Sequence, residues 1–198
     1  MTQPRLTLLL LLLSFTGVAQ EYSYARYEVK DGLAGSVVYH GVEDKEGFLW
    51  FATETGVSRF DGTHFKNFTL ADGLPDNEII KLFVDSKNRV WMMPFRNAIC
   101  YYWKGKIYNQ ENDSLLKRIP VVNQILDIVE DRKGNLLFRD QKALYVVSPD
   151  QQVKVIRHFD GQTIGASKAG LAASGNFSVL AEMPNRDYFT FEFDSSYW

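Results

Sequence analysis

Histidine, cysteine, serine and paired carboxylates are the side chains with which a chain could run acid–base, nucleophilic or metal chemistry, and here their spacing serves none of these well. The histidines are His40, His64 and His158, and none has a histidine or carboxylate beside it at metal-ligand spacing. Each reads as structural or solvent-exposed. Cys100 is the only cysteine, so no intrachain disulfide and no cysteine-held zinc can form, and it reads as a small apolar packing residue. The serines between 167 and 175 lack a Gly-x-Ser-x-Gly elbow, and no Gly-x-x-x-x-Gly-Lys-[Ser/Thr] run exists to cradle phosphates. The expectation is therefore no catalytic residue, no metal and no cofactor.

One cluster has the chemistry of recognition: Tyr101, Tyr102 and Trp103 in succession, with Lys104 and Lys106 beside them. Flat amphipathic rings at a surface are what sugars and peptides stack on. Successive strand side chains face opposite ways, so at least one ring must point away from the layer that buries its neighbours. Tyr101, Tyr102 and Trp103 are the candidate ligand contacts.

The remaining carboxylates recur with a period, which sets their role. Asp31-Gly32-Leu33 returns as Asp72-Gly73-Leu74, and the run Asp44 to Trp50 returns as Asp85 to Trp91, both displaced by 41 residues. A weaker copy at Asp131-Arg132-Lys133-Gly134 is displaced by a further 46, and the extra residues fall in the connection at 111–118, read as a loop insertion. Asp44, Asp85 and Asp131 are expected to open tight turns, accepting hydrogen bonds from amides two residues on, while Gly47 and Gly134 supply positive φ. Gly56, Asp61 and Gly62 mark further turns of the same unit. Trp50 and Trp91, with Leu137 in the third copy, are placed to fill the seams between neighbouring units.

These positions need short strands, and the sequence between them alternates accordingly. Strands are expected at 36–43, 48–53, 56–60 and 64–70, then at 78–84, 89–93, 98–103 and 107–110, then at 124–129, 135–139, 143–147 and 153–159. Four strands per 41 residues is a propeller blade. Residues 24–29 resemble 65–70 and read as an outermost strand without its inner partners. In the tail only 170–174, 177–182 and 188–193 suggest strands. No stretch after residue 20 sustains helical spacing over three turns, which argues against an α/β nucleotide-binding fold.

Across 198 residues, 22 basic and 24 acidic side chains leave a formal charge of −2, without the basic stripe that nucleic acid requires. Hydrophobic residues make up 45% of the chain, enough for a packed core. Arg5, the apolar run that follows and Gly17-Val18-Ala19 read as a signal peptide over 1–19, cleaved after Ala19. After cleavage no segment is long enough to span a bilayer. The product is expected to be periplasmic or secreted.

The run from Glu43 to Gly62, followed by Asp72-Gly73-Leu74-Pro75, resembles the two-component regulator propeller repeat of bacterial periplasmic sensors. The resemblance covers 24–110 well, 120–160 loosely and the rest hardly at all. It implies an all-β propeller of four-stranded blades, three to four of them here in an incomplete ring, with repeats at 34–74, 75–119 and 120–160 and a degenerate 161–198. It implies a sensor domain over 20–198 that binds a carbohydrate or peptide ligand and does no chemistry, the histidine kinase lying elsewhere in such proteins. The competing readings are an exported propeller enzyme acting on carbohydrate, which would need carboxylates or histidines converging at the channel, and a homodimeric scaffold. An unclosed array would expose an apolar blade face and self-associate.

Overall fold

A computed structural model describes residues 24–157, together with the backbone of residues 177–182 and 188–193. Its strands fall into three antiparallel sheets of four. The first comprises β1 (Val38–Glu43), β2 (Leu49–Thr53), β3 (Gly56–Phe60) and β4 (Phe65–Phe68). The second comprises β5 (Ile79–Val84), β6 (Val90–Pro94), β7 (Cys100–Trp103) and β8 (Lys106–Tyr108). The third comprises β9 (Asp127–Glu130), β10 (Leu136–Arg139), β11 (Ala143–Val147) and β12 (Val153–Arg157). In each the strands pair in chain order, the up-and-down meander of a propeller blade. A further hairpin, β13 (Phe177–Glu182) with β14 (Tyr188–Phe193), occupies the tail.

Alternation along the strands gives each blade two apolar faces, and successive blades bury them against each other. Trp50, Ala52, Val57 and Phe68 of the first blade pack against Leu82, Val90, Met92, Cys100 and Ile107 of the second. The opposite face of the second blade, carrying Trp91, Met93, Ile99 and Tyr101, packs against Ile128, Leu136, Phe138 and Tyr145 of the third. Trp50 and Trp91 are fully buried in these seams. The first strands converge: β5 lies against β1 on one side and against β9 on the other.

The chain enters the first and second blades through the recurring Asp-Gly-Leu. A single 3-10 turn at Val29–Asp31, and another at Leu70–Asp72, is closed by the third residue's carboxylate. Asp31 accepts from the Glu28 amide at 2.9 Å and Asp72 from the Thr69 amide at 2.9 Å. Gly32 and Gly73 then take φ of 108° and 102°, a left-handed conformation that suits glycine. The leucines behind them, Leu33 and Leu74, are buried. Asn67 and Asn109, on or just after each outermost strand, donate to the carbonyls of Gly32 and Gly73 and so tie each crossing to the blade it enters.

Two sequence expectations are corrected. Residues 111–118 are not a plain loop: they contain α1 (Ser114–Arg118), capped by Asp113, whose Leu115 and Leu116 are buried in the seam between the second and third blades. The insertion was too short to show helical periodicity, yet two leucines suffice to anchor it. Residues 24–28 form no strand and 29–31 are the 3-10 turn. Strand formation needs a paired edge, and residues 24–28 pair with no strand among the described residues; Tyr27 instead packs its ring 4.8 Å from Phe60. The expected leader at 1–19, His158 and the expected strand at 170–174 lie outside the described residues. Among those described, no helix is long and apolar enough to cross a membrane.

Candidate functional site

The turn carboxylates are consumed by the fold. Asp44 Oδ1 accepts from the Glu46 and Phe48 amides at 2.9 and 3.1 Å, while Oδ2 accepts the Trp50 indole N–H at 2.7 Å. Asp85 repeats this with the amides of Lys87 and Arg89 and with the Trp91 indole at 2.8 Å, and adds Arg89 Nε at 2.5 Å. In the third blade, where Leu137 replaces the tryptophan, the side-chain amide of Asn135 takes the second oxygen of Asp131 at 2.6 Å. Asp61 accepts from the His64 amide and from Thr63, bonds that hold its carboxyl down at about 2. Gly47 and Gly134 adopt positive φ, and Asn88 takes that conformation in the second blade. Among the described residues no group of three histidine, cysteine or carboxylate side chains could hold a metal.

The aromatic cluster is divided by the blade. Tyr101 and Tyr102 do face opposite ways, but a blade flanked on both sides has two buried faces. Tyr101 is buried against the third blade and donates its hydroxyl to Asp113 Oδ2 at 2.7 Å; burial and that carboxylate push its pKa up. Tyr102 is half-buried against the first blade, its ring 4.8 Å from that of Trp50, and accepts from Arg59 Nη1 at 3.2 Å. Only Trp103 of the three is exposed, with the Lys104 ammonium 4.6 Å from its ring. Cys100 is fully buried in the seam, and burial pushes its thiol pKa up. His64 is exposed, as expected.

A second grouping was not singled out by the sequence reading. His40 on β1, Lys81 on β5 and Asp127 on β9 stand on the converging first strands of three successive blades. Lys81 Nζ donates to Asp127 Oδ1 across the seam at 2.5 Å, with the two side chains 20% and 9% exposed. His40 is half-buried, and its Nδ1, fully enclosed, meets no hydrogen-bond partner among the described residues. Burial, then the nearby Lys81 charge, lowers its pKa, with Asp127 opposing. Beside this row Tyr39 donates to Glu78 Oε1 at 3.0 Å, and Val37, Val38 and Tyr39 are exposed at the start of β1. The signal was in the sequence: His40, Lys81 and Asp127 are separated by 41 and 46, the displacements of the aspartate turns.

The fold has counterparts among solved structures. The extracellular domain of a hybrid two-component system from B. thetaiotaomicron matches over 78% of this chain and 23% of its own, with a TM-score of 0.58 and 20% identity. The extracellular domain of a one-component system from the same organism matches at 14% identity and a TM-score of 0.43, over 83% of this chain and 28% of its own. A structure described as a gluconolactonase matches at 12% identity and a TM-score of 0.47, over 78% and 62%. The chain thus spans about a quarter of the length of the first two. No family model and no curated protein matches it. Identities this low speak to the fold, a propeller of four-stranded blades.

Proposed function

We propose that this chain is the blade array of an exported signalling protein of two-component type, which recognises a ligand where its first strands converge and performs no chemistry there. The observation that carries the reading is the axial row: it is where polar side chains of all three blades meet without being consumed by a turn. The turn carboxylates, bonded to their own backbone amides, are poor candidates for either recognition or catalysis. The likeness to extracellular domains of signalling systems supports the assignment, as does the leader-like start. The ligand class is carbohydrate or peptide.

Carbohydrate and peptide arrays probed with the chain test it. A ligand retained by the wild type and lost on Lys81→Met supports an axial site, whereas a ligand lost on Trp103→Ala but kept on Lys81→Met moves recognition to the aromatic cluster. The second reading is an exported carbohydrate-active enzyme, favoured by one observation: imidazole, amine and carboxylate in one row have the composition of an acid–base site. Consumption of the retained glycan by the wild type and not by Lys81→Met would select it.

A further inference from the structure

His40, Lys81 and Asp127 occupy equivalent places in three blades, and their geometry says more than their alignment. His40 and Lys81 each follow a break in register, where β1 slips against β2 between Val38 and His40 and β5 slips against β6 between Ile79 and Lys81. Such a bulge re-aims the next side chain. His40 then lies opposite Ala52, Lys81 opposite Met93 and Asp127 opposite Arg139. In the first two blades these partners face the next blade's seam, as the Lys81–Asp127 pair demonstrates.

Among His40, Lys81 and Asp127 charge is balanced only while His40 is neutral, and Arg139, buried opposite Asp127, adds a further cation at the third blade. The groups acting on its imidazole are Lys81 from β5 and Asp127 from β9, and the carboxylate is already engaged, its Oδ1 taking both Lys81 Nζ and the Ile128 amide. The ammonium has three N–H donors, of which this contact uses one. Protonation of His40 would set two cations against one carboxylate, in a place where Nδ1 is enclosed and finds no acceptor among the described residues. A second carboxylate beside the Lys81 ammonium would offset that charge and give its remaining N–H donors a partner.

We propose that the axial row binds the carboxylate group of a small ligand, held by His40 and Lys81, with one proton taken from solvent onto His40 as the ligand enters. The inference rests on the axial recognition reading and names the chemistry it would recognise. The group could belong to an acidic sugar or to an acidic peptide, which the test separates.

The test is an NMR titration of the full chain between about pH 4.5 and 8, following the His40 ring protons in acetate and in chloride at equal ionic strength, with exposed His64 as internal reference. Expected in chloride is a His40 pKa below the ordinary value of about 6.5, and in acetate a rise of about half a pH unit, equivalent to roughly threefold tighter carboxylate binding by the protonated form. The double variant Lys81→Gln/Asp127→Asn, which removes both members of the ion pair together, should lose the acetate effect. Asp127→Asn alone should enlarge it, because a competing carboxylate is gone. Glucuronate and N-acetylaspartate amide, compared with glucose, then report which carrier binds. Identical His40 titrations in acetate and chloride, or an equal movement of His64, would overturn the proposal. If a neutral glycan still binds and is lost on Lys81→Met, that null result leaves the axial recognition reading standing.

Discussion

Asp85 concentrates in one side chain most of what holds a blade turn to its seam. Its carboxylate is enclosed, and it bonds two backbone amides, the Arg89 guanidinium and the Trp91 indole. Asp85→Ala should cost about 3–5 kcal/mol, because it strands Arg89 and the indole donor in a dry seam. Trp91→Phe, which keeps most of the volume, should cost about 2 kcal/mol. Urea melts of the two variants check the order, and equal losses would show that ring volume rather than the carboxylate governs the site. The turn role was legible from the recurrence of Asp44, Asp85 and Asp131 at displacements of 41 and 46, with Gly or Asn three residues on. The indole contact was not, because nothing local says that the i+6 ring folds back over its own turn. Asp61 supplies a pH dependence of known sign. Its folded pKa lies below the ordinary carboxylate value, so its contribution is present above about pH 4 and is lost as pH falls through about 2. The difference between wild type and Asp61→Asn should therefore be constant from pH 7 to 4 and vanish near pH 2, measured by thermal melts across that range.

Between residues, the strands followed from alternation wherever both faces are buried against neighbours, and the expected 56–60 and 143–147 coincide with β3 and β11. What alternation cannot report is whether a neighbour exists, which is why 24–29 read as a strand and is not one. Nor can it register α1, little more than one turn long and held by its cap and two leucines. Asp113 accepts from the Leu115 and Leu116 amides at 2.8 and 2.9 Å and from the Tyr101 hydroxyl at 2.7 Å, so it fastens the insertion to the second blade. Asp113→Ala should lose about 2 kcal/mol, the cap plus a half-buried hydroxyl bond, and Tyr101→Phe about 1 kcal/mol. If the two losses do not overlap in the double variant, the hydroxyl bond is independent of the cap. Gly56 is the strictest position in the β2–β3 hairpin: φ is +145°, and a Cβ there would lie 2.4 Å from the Phe68 carbonyl oxygen. Gly56→Ala should destabilise by about 3 kcal/mol, against about 1 kcal/mol for Gly62→Ala, whose φ is also positive but whose surroundings are open. Chemical denaturation of the pair isolates the steric part.

At the scale of the whole molecule the seams predict how the array meets what lies beyond it. Val90, Met92, Tyr102 and Ile107 form the face that the second blade buries against the first. Their equivalents in the first blade, by register and by the 41-residue displacement along the second strand, are Leu49, Phe51, Phe60 and Phe65. That face is built as a seam yet is covered, among the described residues, chiefly by Tyr27, and Leu49 remains 39% exposed. Glu43 points to the same use. It stands where Glu130 stands in the third blade, and Glu130 accepts from the amide and hydroxyl of Ser86 in the turn of the preceding blade. A blade placed against Leu49, Phe51 and Phe65 would bring such a turn to Glu43. An apolar sheet face of this kind associates when its intended cover is absent. The chain should therefore self-associate with increasing concentration, and Leu49→Glu should weaken that association roughly tenfold, about 1.4 kcal/mol, while leaving the melting temperature within a degree or two. Sedimentation velocity over a hundredfold concentration range reads both effects. A concentration-independent monomer would mean that this face is already covered within the chain, and the propeller would then be closed by its own residues.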